Sequence, residues 1–248
     1  MSDGRRVAGV GASGGIGAAL VAALVERDDV AEIHVTHHRS PAAGSLASIA
    51  AVGGECAVRG HALDATDEDQ VASFVDELGE LDWLINCVGM LHDAGHGPEK
   101  TIRRFEPEHF HRSMAVNCLP TLLLAKHAGP ALRASRAGVF AAVSARVGSI
   151  ADNGLGGWYS YRASKAALNM SLKCLAIEWA RTMKRVRVAA LHPGTTDTAL
   201  SAPFQENVPE GKLFPPERTA GHLLARIDEL HQGPSGRFLA WDGEEIPW

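Results

Sequence analysis

Short apolar runs and longer helical patterns alternate along the chain. Apolar, strand-like runs occupy 5–10, 32–36, 56–63, 81–89 with its exit, 138–143, 186–191 and 237–240. Bounded by turn residues, such runs read as strands buried in a sheet. Helical patterns follow most of them, at 18–27, 107–132, 159–181 and 216–230. A short alanine-rich helix is expected to end at Gly53-Gly54, and another runs to Leu78 with Asp67, or Thr66 beside it, as its cap. Strand and helix in alternation predict an α/β fold: a Rossmann-type, doubly wound, parallel sheet of about seven strands with helices on both faces. The whole of 1–248 fits one domain. The stretch 199–215, with Pro203, Pro209 and Gly211, breaks the alternation and reads as a flap over a substrate.

Composition narrows the function classes. The 248 residues are 46% hydrophobic and 21% charged, enough for a large core. A formal net charge of −5 and a pI near 6.2 argue against nucleic acid or a membrane surface as the main partner. No apolar run approaches the ~20 residues of a membrane span. The first residues lead into a strand-like run without an apolar signal region, and Cys56, Cys87, Cys118 and Cys174 lie far apart, so reduced thiols and a cytoplasmic location are expected. His37-His38 and the sparse group His92, His96, His109 and His111 lack clean ligand spacing with carboxylates, so no metal is expected.

Candidate chemistry sits at the strand ends. The first strand runs into Gly11-Ala-Ser-Gly-Gly15-Ile-Gly17 and then a helix. Glycines there permit a tight turn and close backbone approach to a pyrophosphate, which the helix N-terminus attracts. The second strand exits into Thr36-His37-His38-Arg39, with no acid between Glu32 and Glu55. A carboxylate would hold the ribose hydroxyl of NAD; Arg39 instead suits the extra phosphate of NADP. Asp64, at a strand tip, can accept from an adenine amino group or close a simple Asx-turn. Asn86 can tie down the backbone leading to Gly89, where the chain passes close to a ligand. Asn117, in the apolar middle of the 107–132 pattern, needs a polar partner. Tyr161 and Lys165 stand one turn apart on one helix face, where an ammonium favours the phenolate and readies the tyrosine for proton transfer. Tyr159 has no lysine four residues on and reads as packing or a substrate wall.

Taken in order, the Gly11, Gly15, Gly17 turn, Asp64, Asn86-Cys-Val-Gly89, Asn117, Tyr161 with Lys165, and Pro193-Gly194 with Thr198 resemble the short-chain dehydrogenase/reductase family over nearly the whole chain. Val147-Gly-Ser-Ile, the residues around Tyr161 and Lys165, and the tail from Trp241 resemble the C-factor/Sniffer-like carbonyl reductases within it. The resemblance implies Tyr161 as general acid/base and Lys165 as the group that lowers its pKa and binds the nicotinamide ribose. It implies Asn117 as holder of a relaying water. Ser13, Ile16, Arg39, Asp64, Asn86, Val88, Gly89, Pro193, Gly194, Thr196 and Thr198 would line the dinucleotide. Aligned on Gly148, the family's substrate serine falls on Ala145 rather than Ser144. A small bulge would restore Ser144, which is taken as the substrate serine with Ser149 in reserve.

The resulting expectation is an NADP(H)-dependent oxidoreductase acting on a small carbonyl or alcohol. A homodimer or homotetramer fits the family, and the 159–181 helix, which lacks a broad charged face, is a candidate contact. The alternatives are an NAD-linked dehydrogenase and a dinucleotide-binding signalling protein with low turnover.

Overall fold

Side-chain alternation in the strands divides the core into two layers, one on each face of a single sheet. A computed structural model describes residues 4–38, 56–93, 95–206 and 208–248. Arg39 and the short helix ending at Gly53-Gly54 lie outside the described residues. The elements are β1 (Arg5–Val10), α1 (Gly15–Val25), β2 (Val30–His37), β3 (Ala57–Ala62), α2 (Glu68–Leu78), β4 (Trp83–Asn86), α3 (Pro107–Asn117), α4 (Leu119–Ala134), β5 (Val139–Val143), α5 (Tyr159–Thr182), β6 (Arg187–His192), β7 (Thr195–Thr196), β8 (Leu213–Phe214), α6 (Pro216–Glu229) and β9 (Arg237–Ala240).

Seven strands pair in the order β3-β2-β1-β4-β5-β6-β9, every pair parallel. Val7, Ile33, Ile85, Ala141 and Leu191 point to one face, under Leu20 and Leu24 of α1 and Leu223 and Ile227 of α6. Their neighbours Ala8, Leu84, Phe140 and Ala190 point to the other, under Phe74 of α2, Leu124 of α4 and Leu168 and Leu172 of α5. This is the expected doubly wound fold. The chain reverses its direction of travel across the sheet between β1 and β4, and a crevice opens at such a switch point outside the carboxyl ends of the strands. No helix among the described residues is long and apolar enough to cross a membrane.

Two local outcomes shape the site. Asp67 does cap α2, accepting from the Gln70 N–H at 3.1 Å. The pattern expected as one helix over 107–132 is two helices, broken at Cys118. Pro120 lacks the N–H that would bond back to Val116, and as a residue of the first turn it starts a new helix instead. The break makes Asn117 the last residue of α3 instead of the middle of a long helix.

Candidate active site

The floor of the crevice is built from strand ends. Gly11 has φ +79°, and a Cβ on Gly17 would lie 2.5 Å from the Gly11 carbonyl oxygen, so the turn closes only with glycine there. A Cβ on Gly15 would press on the Thr198 side chain at 2.6 Å. The N-cap of α1 is Gly14, with no side-chain capping bond and no acid in the first turn. Its N–H groups and the helix dipole therefore face the crevice uncompensated by any side chain, a setting that suits a pyrophosphate. Thr36 Oγ1 accepts from the Gly11 N–H at 3.1 Å and ties β2 to this turn.

Two clefts meet over the floor and share Cys87, Val88 and Gly89. Gly11, Ser13, Asp64 and His38 line the first. Asp64 Oδ1 accepts from both the backbone N–H and the hydroxyl of Thr66, which holds its carboxyl below the usual range. One oxygen of Asp64 thus closes an Asx-turn; the other lies 3.8 Å from the exposed His38. Asn86 donates to Thr121 Oγ1 at 2.8 Å and accepts from the Val88 N–H at 3.0 Å. That is the backbone clamp expected of it.

Ile16, Ser144, Tyr161, Lys165, Pro193, Gly194, Thr196 and Thr198 line the second cleft. Gly194, at φ +76°, passes so close to Phe214 that a Cβ would lie 2.7 Å from its ring. Thr196 spends its hydroxyl on Thr219, 2.9 Å away. Tyr161 and Lys165 are both buried, and the Lys165 Nζ stands 5.9 Å from the centre of the Tyr161 ring. The ammonium donates to the Val143 carbonyl at 3.0 Å. Burial lowers Lys165 to about 8 and pushes the Tyr161 phenol above its ordinary value. The burial of the phenol works against the lowering that Lys165 is expected to exert on Tyr161. Burial likewise drives the Cys87 thiol up to about 12.

Asn117 finds its partners in the loop after Gly89. It accepts from the Met90 N–H at 2.6 Å and donates to the Met90 carbonyl and to Ser164 Oγ, both at 2.9 Å. A Cβ on Gly89 would sit 3.4 Å from Lys165 Nζ and 3.6 Å from Asn117 Oδ1, so the backbone at this glycine passes close to both polar groups. Ser144 is buried at the cleft wall, but its hydroxyl donates to Asn169 Oδ1 at 2.6 Å. Among the described residues no hydrogen bond joins Ser144 to Tyr161. Ala145 follows in extended conformation and lines the same wall. Ser149 turns away and is bonded to the Pro247 carbonyl.

The rim holds residues that spacing alone did not single out. Trp158 has φ +52°, a left-handed conformation rare for a bulky residue and costly to hold. Its ring meets Tyr161 edge-on at 6.2 Å and Phe204 at 5.3 Å. Glu99, 4% exposed, explains how Trp158 is held: its carbonyl accepts from the Trp158 N–H at 2.6 Å. Its carboxylate accepts from the Ser160 N–H at 3.1 Å and from the Ser160 hydroxyl, an acid at the N-terminus of α5. Leu200, Phe204 and Val208 bring the 199–215 segment over the cleft, and β7 and β8 pair at its base. His192 also lines the cleft, held neutral by burial to about 4. A positive-φ tryptophan leaves no mark on the sequence. Glu99 stands in the polar stretch Gly97-Pro-Glu-Lys100, where no local signal sets it apart.

Comparison with known proteins agrees with this geometry. Residues 5–209 match the model of the short chain dehydrogenase family. The C-signal protein of Myxococcus xanthus is 36% identical over 137 residues, covering 55% of this chain and 77% of that protein. The carbonyl reductase Sniffer of D. melanogaster superposes with a TM-score of 0.84 at 21% identity, covering all of both chains. An NADPH-bound carbonyl reductase from chicken fatty liver superposes with a TM-score of 0.80 at 23% identity, over 100% of this chain and 96% of that one. A glycine turn under a switch-point crevice, a buried tyrosine–lysine pair and a family match across most of the sequence converge: the chain belongs to the short-chain dehydrogenase family of oxidoreductases, with a Sniffer- and C-factor-like resemblance.

Proposed function

We propose that the protein transfers hydride between NADP(H) and a carbonyl or hydroxyl group, with Tyr161 as the general acid/base. The observation that carries the reading is the burial of Tyr161 and Lys165 side by side in the wall of the second cleft, with Lys165 beside the Gly89 that both clefts share. The residues fit a dinucleotide: the uncapped α1 N-terminus for the pyrophosphate, Gly11, Gly15 and Gly17 for close approach, and Asp64, Val88 and Gly89 along its path, with Asn86 tying down the backbone at Val88. When bound, the dinucleotide supplies the hydride. Tyr161 gives its phenolic proton to the substrate oxygen, or takes one from an alcohol in the reverse direction. Lys165 supplies positive charge beside the phenol and a donor for the ribose. Asn117, fixed to Met90 and Ser164, is the proposed support for a water connecting Lys165 to solvent. Ser144 is the proposed donor to the substrate oxygen, a role it can play only by exchanging its bond to Asn169.

The preference for NADP(H) rests on the β2 exit, which carries Thr36, His37, His38 and Arg39 and no acid. The NADPH named with the chicken carbonyl reductase supports it. The substrate is proposed to be small and uncharged. Leu91, Trp158 and Phe204 wall the cleft, and its one arginine, Arg146, is paired with Glu244 at 2.7 Å and Asp152 at 3.5 Å. A homodimer or homotetramer would cover Leu122 on α4 and Met170 and Ile177 on α5, which are 46%, 62% and 49% exposed. We place the enzyme in the cytoplasm.

The Myxococcus xanthus relative is named for a signal, and the Ser144–Asn169 bond leaves the substrate without a ready donor from that serine. Both observations favour, as a second reading, a dinucleotide-binding regulator of low turnover. A panel of neutral aldehydes and ketones, assayed with NADPH and with NADH by loss of nicotinamide absorbance, separates the readings. The enzyme reading expects steady turnover with a preference for NADPH. A preference for NADH refutes the cofactor assignment, and binding without turnover across the panel favours the regulator.

A further inference from the structure

Outside the cleft, the loop after β4 and the start of α3 bring together side chains that the proposed reaction does not use. His109, in the first turn of α3, is 4% exposed, and neither of its ring nitrogens has a hydrogen-bond partner among the described residues. A buried imidazole without partners loses its hydration for nothing in return, and such groups in native proteins call for a water or an ion. The ring of His96 stacks on it, centroids 5.4 Å apart and planes 22° from parallel. Asp93 completes the group: one ligand atom from each of Asp93, His96 and His109 lies within 4.8 Å of the other two.

His96 has a carboxylate on each side. Its Nδ1 is 3.0 Å from Asp93 Oδ1, and its Nε2 is 2.9 Å from Glu106 Oε2. A neutral ring has one proton and can satisfy only one of the two acids. Either His96 carries a second proton or a cation stands on the Asp93 side. The second proton would account for His96 and leave His109 orphaned; a cation accounts for both rings. With the cation on Nδ1, the Nε2–H would donate to Glu106, the carboxylate–histidine–metal arrangement that fixes a ligand's tautomer.

We propose that Asp93, His96 and His109 bind one divalent transition-metal ion, zinc or a zinc-like cation. Two imidazoles and a carboxylate are a borderline donor set, suited to zinc and its neighbours rather than to calcium or magnesium. Tetrahedral ligand atoms at about 2.0–2.2 Å from an ion stand roughly 3.3–3.5 Å apart, so the Asp93–His96 pair, now 3.0 Å apart, opens slightly while the spread of up to 4.8 Å across the group narrows, and a fourth position stays open for water. Asp93 Oδ1 already accepts from the N–H groups of Gly95 and His96, each at 3.0 Å, and Arg112 Nη1 lies 3.5 Å from Oδ2. Asp93 therefore enters as a monodentate ligand. The group borders a cleft lined by Gly95, Gly97 and Glu106, which gives an entry path separate from the catalytic cleft. An ion here clamps the loop to α3. The same loop carries His92, whose Nε2 meets the Ala199 carbonyl at 3.2 Å, and Glu99, which holds Trp158 and Ser160. The site is structural, and its occupancy tightens the rim of the active site.

The test uses untagged full-length protein, stripped with a chelator and titrated with Zn²⁺ by calorimetry, then with Co²⁺ in the visible spectrum. The wild type is expected to take one equivalent per chain, to show the cobalt bands of a four-coordinate nitrogen–oxygen site, and to unfold at a higher temperature when loaded. His96→Ala and His109→Ala are each expected to weaken binding by at least the roughly 100-fold that loss of a supporting partner alone can cause. His111→Ala, an exposed histidine on the same helix, is expected to bind like the wild type. If His109→Ala does not fold, the half-exposed His96→Ala decides alone. Absence of binding in the wild type, or equal binding in the wild type and His96→Ala, overturns the proposal and leaves His96 as a doubly protonated bridge between two acids.

Discussion

The floor and the rim of the active site are built differently. The floor is made of strand ends: Gly11 after β1, Asn86 at the end of β4, Ser144 after β5 and Pro193-Gly194 after β6. Its positions are set by backbone pairing in the sheet. The rim, from Met90 to Glu106 and from Ala199 to Pro215, is set by a few tertiary side-chain contacts. These are Glu99 to Ser160, Asn117 to Met90, His92 to Ala199, and the stacked His96 and His109. We propose the chemistry where the sheet-fixed floor meets Tyr161 and Lys165 of α5, and selectivity in the part fixed by isolated bonds. A change on the floor should therefore fall on turnover, and a change on the rim on stability and KM.

Ser144→Ala gives the larger effect and tests the floor. If the hydroxyl leaves Asn169 to meet the substrate oxygen, turnover falls by about 10²-fold or more, as for loss of one oxyanion donor. A rate near the wild type, measured under saturating substrate, would restrict Ser144 to orienting Asn169. Lys165→Met follows, and pH gives its sign. Lys165 titrates near 8 in the folded protein against an ordinary value of 10.5. Between those values the unfolded chain binds more protons, so wild-type stability rises with pH across the window. The gain relative to the methionine variant is on the order of 3 kcal/mol before other losses. Denaturant unfolding at pH 7 and pH 10 measures it; parallel pH dependence in the two proteins would show that burial does not depress the lysine. Glu99→Gln tests the rim. It weakens charge-assisted bonds at the start of α5 and costs about 1–3 kcal/mol. KM should rise with little change in kcat. A fall in kcat alone would place Glu99 in the chemistry and blur the contrast.

The same division governs how much could be read in advance. The strands, the glycine turn, the Asp67 cap and the Tyr161–Lys165 spacing are local patterns, and sheet pairing kept them in place. The break at Cys118 was also local, since Pro120 marks it, but the apolar run across 107–132 masked it. What local pattern does not encode is partnership across the chain. Nothing near Ser144 announces Asn169, and nothing near Trp158 announces Glu99. His96 and His109 belong to one sparse group in the sequence, but only the packing of the loop on α3 joins them to Asp93. The pKa of Tyr161 shows the limit in another form. Spacing placed the ammonium one turn away, but spacing does not encode the burial of the phenol, which pushes its pKa the other way.

The most direct measurement compares Tyr161→Phe with the wild type, using NADPH binding by fluorescence and single-turnover reduction of a carbonyl compound that the wild type accepts. The phenyl ring preserves the cleft wall and removes only the proton donor. The account predicts NADPH affinity within a few-fold of the wild type and a reduction rate lower by roughly 10²–10⁴-fold. Retention of a wild-type rate with NADPH bound would contradict it.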